Sequence, residues 1–113
     1  MKNNKLIVIG YSGHSFGCIE VAINQKILVV GYHDSSEKTS NPYNLKYLGH
    51  EDNIDLDALS FITIGDNNIR KKIYKKLKLK DISLNITLIH PSTIISKSSL
   101  IEEQTFISAG VII

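Results

Sequence analysis

The chain has 113 residues, enough for one compact domain and too few for a two-domain enzyme with a large cleft between its domains. Lysine and arginine total 13 against 11 acidic residues, and a net charge of +2 is too small to indicate a nucleic-acid partner. Apolar residues make up 42%, which excludes extensive disorder. The apolar runs are too short for membrane insertion, and the N-terminus lacks a signal peptide's apolar stretch, so we expect a cytoplasmic protein. The single cysteine, Cys18, excludes an internal disulfide and is interpreted as a packing residue.

The first element of the chain is an apolar run at residues 5–10, KLIVIG, which stops at a glycine. Apolarity without alternation is typical of a strand buried on both faces of a parallel sheet. After a turn of small residues, Phe16, Ile19 and Ile23 recur at helical spacing, and Ser15 is placed to cap that helix. The pattern therefore predicts a strand, a glycine turn and a helix.

A second apolar run, residues 27–31, precedes Asp34 and completes the outline of a mononucleotide-binding βαβ unit. Glycine in the turn lets backbone N–H groups approach a phosphate, the helix N-terminus attracts an anion, and an acid after the second strand can accept ribose hydroxyls. The turn departs from G-x-G-x-x-G, because Ser12 and Ser15 stand where glycines are expected. A turn that merely joins strand to helix is the alternative. His14 is placed to donate to an anion, although a solvent-facing or core histidine is commoner.

The middle of the chain predicts a third buried strand at residues 61–65, FITIG, again ending in a glycine. Asp66 or Asn67 can cap the helix that follows. The apolar stripe of that helix is Ile69, Ile73 and Leu77. Between the second and third strands we expect a loop and two short connecting elements, at residues 35–44, 47–50 and 56–59.

The helix after the third strand is strongly basic. Without its seven cations the chain has six cations against 11 acids, so the positive balance is local. Only Tyr74 is available to stack on a base, and lysine dominates where arginine is favoured for recognition. We therefore favour a solvated lysine face over a nucleic-acid or anionic-membrane surface. The seven cations are Arg70, Lys71, Lys72, Lys75, Lys76, Lys78 and Lys80.

The C-terminal part of the sequence has a period of six. The repeated isoleucines are Ile89, Ile95, Ile101, Ile107 and Ile113. Small or β-branched residues follow the first four at a fixed spacing, namely Thr93, Ser99, Thr105 and Val111. This is the hexapeptide pattern of a left-handed parallel β-helix, in which three hexads build one triangular coil. Four hexads and one residue are fewer than a solenoid core needs, so we expect a sequence cut within its second domain, by design or by a premature stop.

Taken together, the motifs resemble those of the NeuD/PglD-type sugar acyltransferases. The resemblance lies in GYSGHS at residues 10–15, GYHDSS at 31–36, ITIGDNNIRKKI at 62–73, and LIHPSTIIS at 88–96 leading into the hexads. It implies a small Rossmann-like parallel α/β sheet with flanking helices at residues 1–88. The truncated start of a left-handed parallel β-helix would follow at residues 89–113.

The same resemblance implies how such a protein acts. The Rossmann-like domain would bind a nucleotide-linked sugar, and a homotrimer of full-length chains would bind acetyl-CoA and supply a catalytic histidine. None of His14, His33, His50 or His90 matches that histidine, so this fragment is expected to bind no acetyl-CoA and to be inactive. The residues implied to hold the nucleotide sugar are Ser12, Gly13, His14, Asp34, Ile64 and Gly65.

Two other classes of function are alternatives. The first is a non-catalytic nucleotide-binding or NAD-binding Rossmann-like module, against which the incomplete glycine motif counts. The second is an interaction domain that uses the lysine helix on nucleic acid, whose affinity would collapse with added salt.

Overall fold

The structure is a computed structural model and describes residues 5–54, 59–108 and 110–113. In chain order its elements are β1 (Lys5–Ile9), α1 (Gly13–Asn24), β2 (Leu28–His33), β3 (Lys46–Tyr47), a 3-10 turn (Glu51–Asn53), β4 (Ser60–Ile62), α2 (Asn67–Leu79), β5 (Leu88–Ile89) and β6 (Phe106–Ile107). The predicted strand–helix alternation is confirmed. Most of the connecting element predicted at residues 56–59 lies outside the described residues.

Strands β1 to β4 form one parallel sheet in the order β3-β2-β1-β4. The chain leaves β1 toward β2 on one side and later returns to β4 on the other, so the strand order reverses beside β1. In open α/β sheets, the crevice at such a reversal, beyond the carboxyl ends of the strands, is where ligands bind. Strand β3 was not predicted, because two residues are too few to carry a periodic signal.

The strand bounds differ from the predicted ones in a way that matters for the site. Strand β2 continues through Tyr32 and His33, beyond the predicted end of the apolar run at residue 31, and both side chains are buried. Strand β4 begins earlier, at the buried Ser60, and ends at Ile62. Ile64 and Gly65 therefore lie in the turn beyond the sheet and not in the strand.

The sheet is covered on both faces, as the unbroken apolar runs predict. On one face, Leu6 and Val8 of β1 belong to the hydrophobic cluster that includes α1. On the other face, Ile9 packs with Ile73 and Leu77 of α2. Fully burying a side chain of this size contributes roughly 1.5–3 kcal/mol, so the two helices are held mainly by these clusters.

The two helices begin differently. Helix α1 begins at Gly13 with Ser12 as its N-cap residue, so the prediction that Ser15 caps it is wrong. Ser15 is buried in the first turn, and its hydroxyl donates to the Ser12 carbonyl at 2.5 Å. Helix α2 is capped by Asp66, whose carboxylate accepts from Asn68 N at 2.9 Å and Ile69 N at 3.0 Å.

Helix α2 carries the lysine-rich face. Two of its lysines pair with acidic side chains outside the helix, Lys76 with Asp52 and Lys78 with Glu103, the latter at 3.2 Å. The solvated-face interpretation of the other lysines stays a prediction. Among the described residues, no helix is both long and apolar enough to cross a membrane.

The C-terminal segment pairs with itself at the spacing of the repeat. Strand β5 pairs in parallel with β6 through Leu88 and Phe106, which are three six-residue units apart. A further parallel bridge joins Ile94 to Ile112 at the same spacing. That this paired segment is the start of a left-handed β-helix stays a prediction.

Gln104 joins the C-terminal segment to the outer edge of β4, where Ser60 N also donates to Ser83 O at 2.9 Å. Its side-chain oxygen accepts from Ile62 N at 2.8 Å, and its side-chain nitrogen donates to the carbonyls of Ser60 at 2.9 Å and Leu84 at 2.8 Å. The backbone of Gln104 is left-handed, with φ +62°. The amide thus occupies hydrogen-bonding positions that a neighbouring strand would otherwise fill.

Candidate functional site

A cavity of about 420 Å³ lies beyond the carboxyl ends of β1, β2 and β4, where the strand order reverses. We call it the switch-point cavity. Its lining residues are Gly10, Ser12, Asp34, Ser35, Lys38, Ile64, Gly65, Asp66, Ile69 and Ile73. Four of the six predicted site residues therefore share one cavity, and Gly13 and His14 do not line it.

Gly10 is required at the start of the turn for two independent reasons. Its φ of +96° is a backbone conformation that other residues rarely adopt. A Cβ atom on Gly10 would also lie 2.6 Å from Ile64 Cγ1. Thr63 fixes this approach of the two strand ends, because its hydroxyl donates to Ile9 O at 3.0 Å and also to Gly10 O. The glycine predicted from the sequence is thus explained by close approach to the Ile64 turn.

The N-terminus of α1 is open next to this turn. The Ser12 side chain is exposed and makes no capping hydrogen bond to the helix. Apart from its chain neighbours and the backbone of its own helix, no atom in the described part of the chain lies within 4 Å of the position where a Cβ of Gly13 would stand. Packing therefore gives no reason for a glycine at position 13. An open helix N-terminus is a favourable place for a phosphate.

Asp34 follows β2 and is hydrogen-bonded to the glycine turn. Its Oδ2 accepts from Tyr11 N at 2.9 Å, and its Oδ1 accepts from Ser35 N at 2.7 Å. The Lys38 ammonium lies 3.6 Å from Oδ2. The exposed Ser35 hydroxyl also donates to Oδ1, at 3.3 Å, and is the donor that a ligand hydroxyl would replace at this carboxylate. The carboxylate therefore both orders the turn and faces the cavity.

Tyr11 anchors the loop that follows Asp34. Its buried hydroxyl donates to Asn41 Oδ1 at 2.7 Å and accepts from Tyr43 N at 3.0 Å. Tyr43 in turn donates to the Glu20 carboxylate on α1, a hydrogen bond that raises the pKa of Tyr43 to about 12. The loop is thereby tied to β1 and α1, which fixes the rim of the cavity. The sequence interpretation missed Tyr11, since an aromatic in a turn does not reveal its partner.

His14 lies on the other side of the Ile64–Gly65 turn. The Cβ of His14 lies 3.4 Å from the position that a Cβ on Gly65 would occupy. The His14 ring meets the Phe106 ring edge-on, with 5.9 Å between the ring centroids. It lines a second cavity, of about 220 Å³, with Phe61, Ile62, Arg70, Gln104 and Phe106. The helix start therefore turns His14 toward the C-terminal segment and away from Asp34.

Arg70 braces the turn that separates the two cavities. Its Nη1 donates to Ile64 O at 2.9 Å and to Gly65 O at 3.4 Å, and its Nη2 donates to Asn67 Oδ1. Arg70 lies in the motif ITIGDNNIRKKI at residues 62–73, and the sequence alone did not indicate a role for it. Its role in the structure is to fix the carbonyls of Ile64 and Gly65.

Burial raises the pKa of the Cys18 thiol to about 12, so it stays protonated at neutral pH and packs in the core as predicted. Its Sγ lies 3.7 Å from His14 Nε2.

Among residues 5–54, 59–108 and 110–113, no three histidine, cysteine or acidic side chains lie close enough to hold a metal ion.

A parallel sheet between two helices, with a cavity where the strand order reverses, defines a Rossmann-like α/β domain. The chain belongs to the PglD N-terminal domain family, which matches residues 5–77. The resemblance proposed from the motifs is thereby confirmed.

A relative of known name supports the same family. The chain is 49% identical over 53 residues to UDP-N-acetylbacillosamine N-acetyltransferase of Bacillus subtilis strain 168. That match covers 47% of this chain and 24% of the relative. The chain thus matches about a quarter of that protein's length.

Solved structures extend the likeness over nearly the whole chain. The acetyltransferase domain of PglB from Neisseria gonorrhoeae, in complex with acetyl coenzyme A, has a TM-score of 0.83 and 23% identity, covering 97% of this chain and 55% of that one. At this identity the likeness shows the fold alone. A variant of perosamine N-acetyltransferase from Caulobacter crescentus, in complex with CoA and GDP-perosamine, has a TM-score of 0.80 and 26% identity, covering 96% and 53%. The chain spans just over half the length of these structural relatives.

Proposed function

We propose that this chain binds a nucleotide-linked sugar and forms the N-terminal, substrate-binding part of a bacterial sugar N-acetyltransferase. The observation that carries the proposal is the switch-point cavity, which combines the Gly10 turn, the open N-terminus of α1 and the Asp34 carboxylate. Membership of the PglD N-terminal domain family supports the substrate class. Relatives named for UDP-linked and GDP-linked sugars support the chemistry of the ligand.

Within this proposal the switch-point cavity and the adjoining N-terminus of α1 each have a role. The diphosphate lies at Ser12 and Gly13, where the helix dipole is favourable and the open space beside Gly13 leaves room for phosphate oxygens. Asp34 accepts from the ribose hydroxyls. The turn at Ile64 and Gly65 forms the opposite wall, held in place by Arg70.

The sugar would extend from the switch-point cavity toward His14. The Ile64–Gly65 turn separates the two cavities, so a ligand that contacts all six predicted residues has to pass over that turn. An extended nucleotide sugar has this shape, with its base and ribose at one end and its hexose at the other. In this arrangement the exposed His14 imidazole donates to the ligand at the diphosphate–sugar junction.

For the complete protein we propose transfer of an acetyl group from acetyl-CoA to an amino group of the bound sugar. Relatives named as N-acetyltransferases support the reaction, and the perosamine N-acetyltransferase structure, which contains CoA, supports the acetyl donor. The residues of this chain would bind and orient the acceptor. A cytoplasmic location is part of the proposal, because acetyl-CoA is supplied in that compartment.

We further propose that the chain divides at residue 88 and that residues 89–113 open a β-helix that assembles as a homotrimer. Leu88 is buried in the α/β core, whereas three of the four apolar residues that follow it at six-residue spacing point outward. Phe106 is partly covered by α1, whereas Ile94, Leu100 and Ile112 are 62%, 85% and 73% exposed. Contact between subunits would remove these side chains from water. Light scattering on the longer protein tests the trimer, and a monomer at all concentrations would contradict it.

Isothermal titration calorimetry with UDP-, GDP- and CMP-linked sugars tests the binding function, with NAD as the competing ligand. We expect binding of at least one nucleotide sugar and none of NAD. Asp34→Ala should weaken that binding, whereas the matched control Glu37→Ala, which removes an exposed carboxylate three residues away, should not. Binding of NAD together with no heat from any nucleotide sugar would favour the non-catalytic Rossmann-like module instead.

A further inference from the structure

Lys38 is the one cationic side chain that lines the switch-point cavity, within the part of the chain that the structure describes. Two acidic residues, Asp34 and Asp66, line the same cavity. A diphosphate that enters would therefore meet two carboxylates and one ammonium group. The electrostatic balance of the cavity depends on that single lysine.

The geometry directs the Lys38 ammonium toward the glycine turn. Its Nζ lies 3.6 Å from Asp34 Oδ2, and the same oxygen accepts from Tyr11 N, next to Ser12. Its side chain is 34% exposed, so the ammonium is partly shielded from water. The backbone N–H of Lys38 donates to the hydroxyl of the buried Tyr32 at 2.8 Å, which anchors the loop at this residue.

We propose that Lys38 binds the diphosphate of the nucleotide sugar while it remains paired with Asp34. An ammonium group has three donors, so contact with Asp34 leaves donors for a phosphate oxygen. The pairing with Asp34 also reduces the repulsion between that carboxylate and the phosphate. The inference rests on the proposed function and names a binding residue that the sequence motifs do not indicate.

The test compares diphosphates with their nucleosides in variants of the chain. UDP, GDP, uridine and guanosine are titrated by NMR chemical-shift perturbation, which measures weak binding as well as tight binding. Lys38→Met removes the ammonium group and keeps most of the side-chain length, and Lys38→Arg keeps the charge. Lys75→Met, on the exposed face of α2, removes one positive charge away from the cavity and serves as the matched control.

We expect Lys38→Met to weaken diphosphate binding about tenfold to a hundredfold, as for loss of a charged hydrogen bond, and to leave nucleoside binding unchanged. Lys38→Arg should retain most of the affinity, and Lys75→Met should bind as the unsubstituted chain does. Equal diphosphate binding by Lys38→Met and the unsubstituted chain would overturn the role of Lys38 alone, as would an equal loss for nucleosides and diphosphates. If the unsubstituted chain binds none of the four compounds, the proposed function fails and the role of Lys38 fails with it.

Discussion

The carboxylate of Asp34 accepts a hydrogen bond from the backbone N–H of Tyr11 at 2.9 Å, joining the end of β2 to the turn that follows β1. Tyr11 is 1% exposed, so its N–H has little access to water as an alternative partner. A residue predicted from the sequence to bind ribose therefore also maintains the fold of the cavity. Its substitution has two separable consequences, one for stability and one for ligand affinity.

Asp34→Ala should lower the free energy of unfolding by about 1–3 kcal/mol, because it leaves a buried N–H without an acceptor. Asp34→Asn should cost less, since its amide oxygen can still accept from Tyr11. Urea denaturation followed by circular dichroism measures both changes. Glu37→Ala is the control for loss of a negative charge in the same loop, with an expected change within about 0.5 kcal/mol. Equal stability of Asp34→Ala and the unsubstituted chain would contradict the structural role of the carboxylate.

The two glycines beside the cavity should respond in opposite ways to alanine. Gly10→Ala should destabilise the chain by about 2 kcal/mol or more, because of its positive φ and the 2.6 Å approach to Ile64. Gly13→Ala should leave stability unchanged or raise it by up to about 1 kcal/mol, since position 13 is helical and open. Thermal denaturation measures the difference between the two variants.

Gly13→Ala should nevertheless weaken nucleotide-sugar binding, because its methyl group would stand in the space proposed for phosphate oxygens. Calorimetry on the folded variant isolates this effect from stability. The matched control is Gly17→Ala, in the next turn of the same helix, where the nearest side-chain atom is 3.7 Å from the added Cβ. Unchanged affinity in Gly13→Ala would contradict the placement of the phosphate at this turn.

Much of the α/β fold follows from patterns that are local in sequence. The unbroken apolar run that forms β1, the helical spacing of Ile73 and Leu77, and the glycines after two strands each indicate their element without knowledge of its neighbours. Asp66 as a helix cap is local for the same reason. These elements also place two glycine turns at one edge of the sheet, which is why the general position of the cavity was predictable.

The site's details depend on contacts that no local pattern encodes. Lys38 acquires its position from a loop anchored on Tyr32 and Tyr11, neither of which the sequence interpretation connected to it. His14 turns toward Phe106 because the helix begins at Gly13, three residues earlier than the predicted cap at Ser15 implies. Gln104 contacts Ser60, which is 44 residues away, through a side chain whose type carries no such signal.

Gln104→Ala should destabilise the chain by about 2–4 kcal/mol, because three hydrogen bonds are lost and the N–H of the buried Ile62 is left without an acceptor. Gln104→Glu keeps the acceptor for Ile62 but directs a carboxylate oxygen at the carbonyls of Ser60 and Leu84. Its destabilisation should therefore be larger at neutral pH than in acid, where a protonated carboxyl group can donate to one of them. Urea denaturation at pH values on either side of the pKa of the introduced carboxyl measures this difference in destabilisation. A loss of stability that does not depend on pH would contradict the bonding described for Gln104.

Glu103, next to Gln104, should give the opposite pH dependence. Hydrogen bonds from Tyr74, at 2.8 Å, and from Lys78 lower the pKa of the Glu103 carboxyl below its ordinary value of 4.5. A carboxyl whose pKa is lower in the folded state contributes stability above its ordinary pKa. That contribution is lost as the pH falls through the lowered value. The contact between α2 and the C-terminal segment should therefore weaken in acid.

The size of this effect should be small, since the Lys78 ammonium is exposed and water screens its pairing with Glu103. Comparing the chain with Glu103→Gln isolates it, because glutamine keeps an acceptor for Tyr74 and does not titrate. The difference in urea midpoint between the two proteins should be constant well above the ordinary pKa of 4.5 and should shrink as the pH falls through and below that value. Added salt should reduce the difference at neutral pH, because it screens the pair with Lys78. A difference that grows on acidification would mean that the carboxylate is disfavoured in the folded chain, contrary to the contacts it makes with Tyr74 and Lys78.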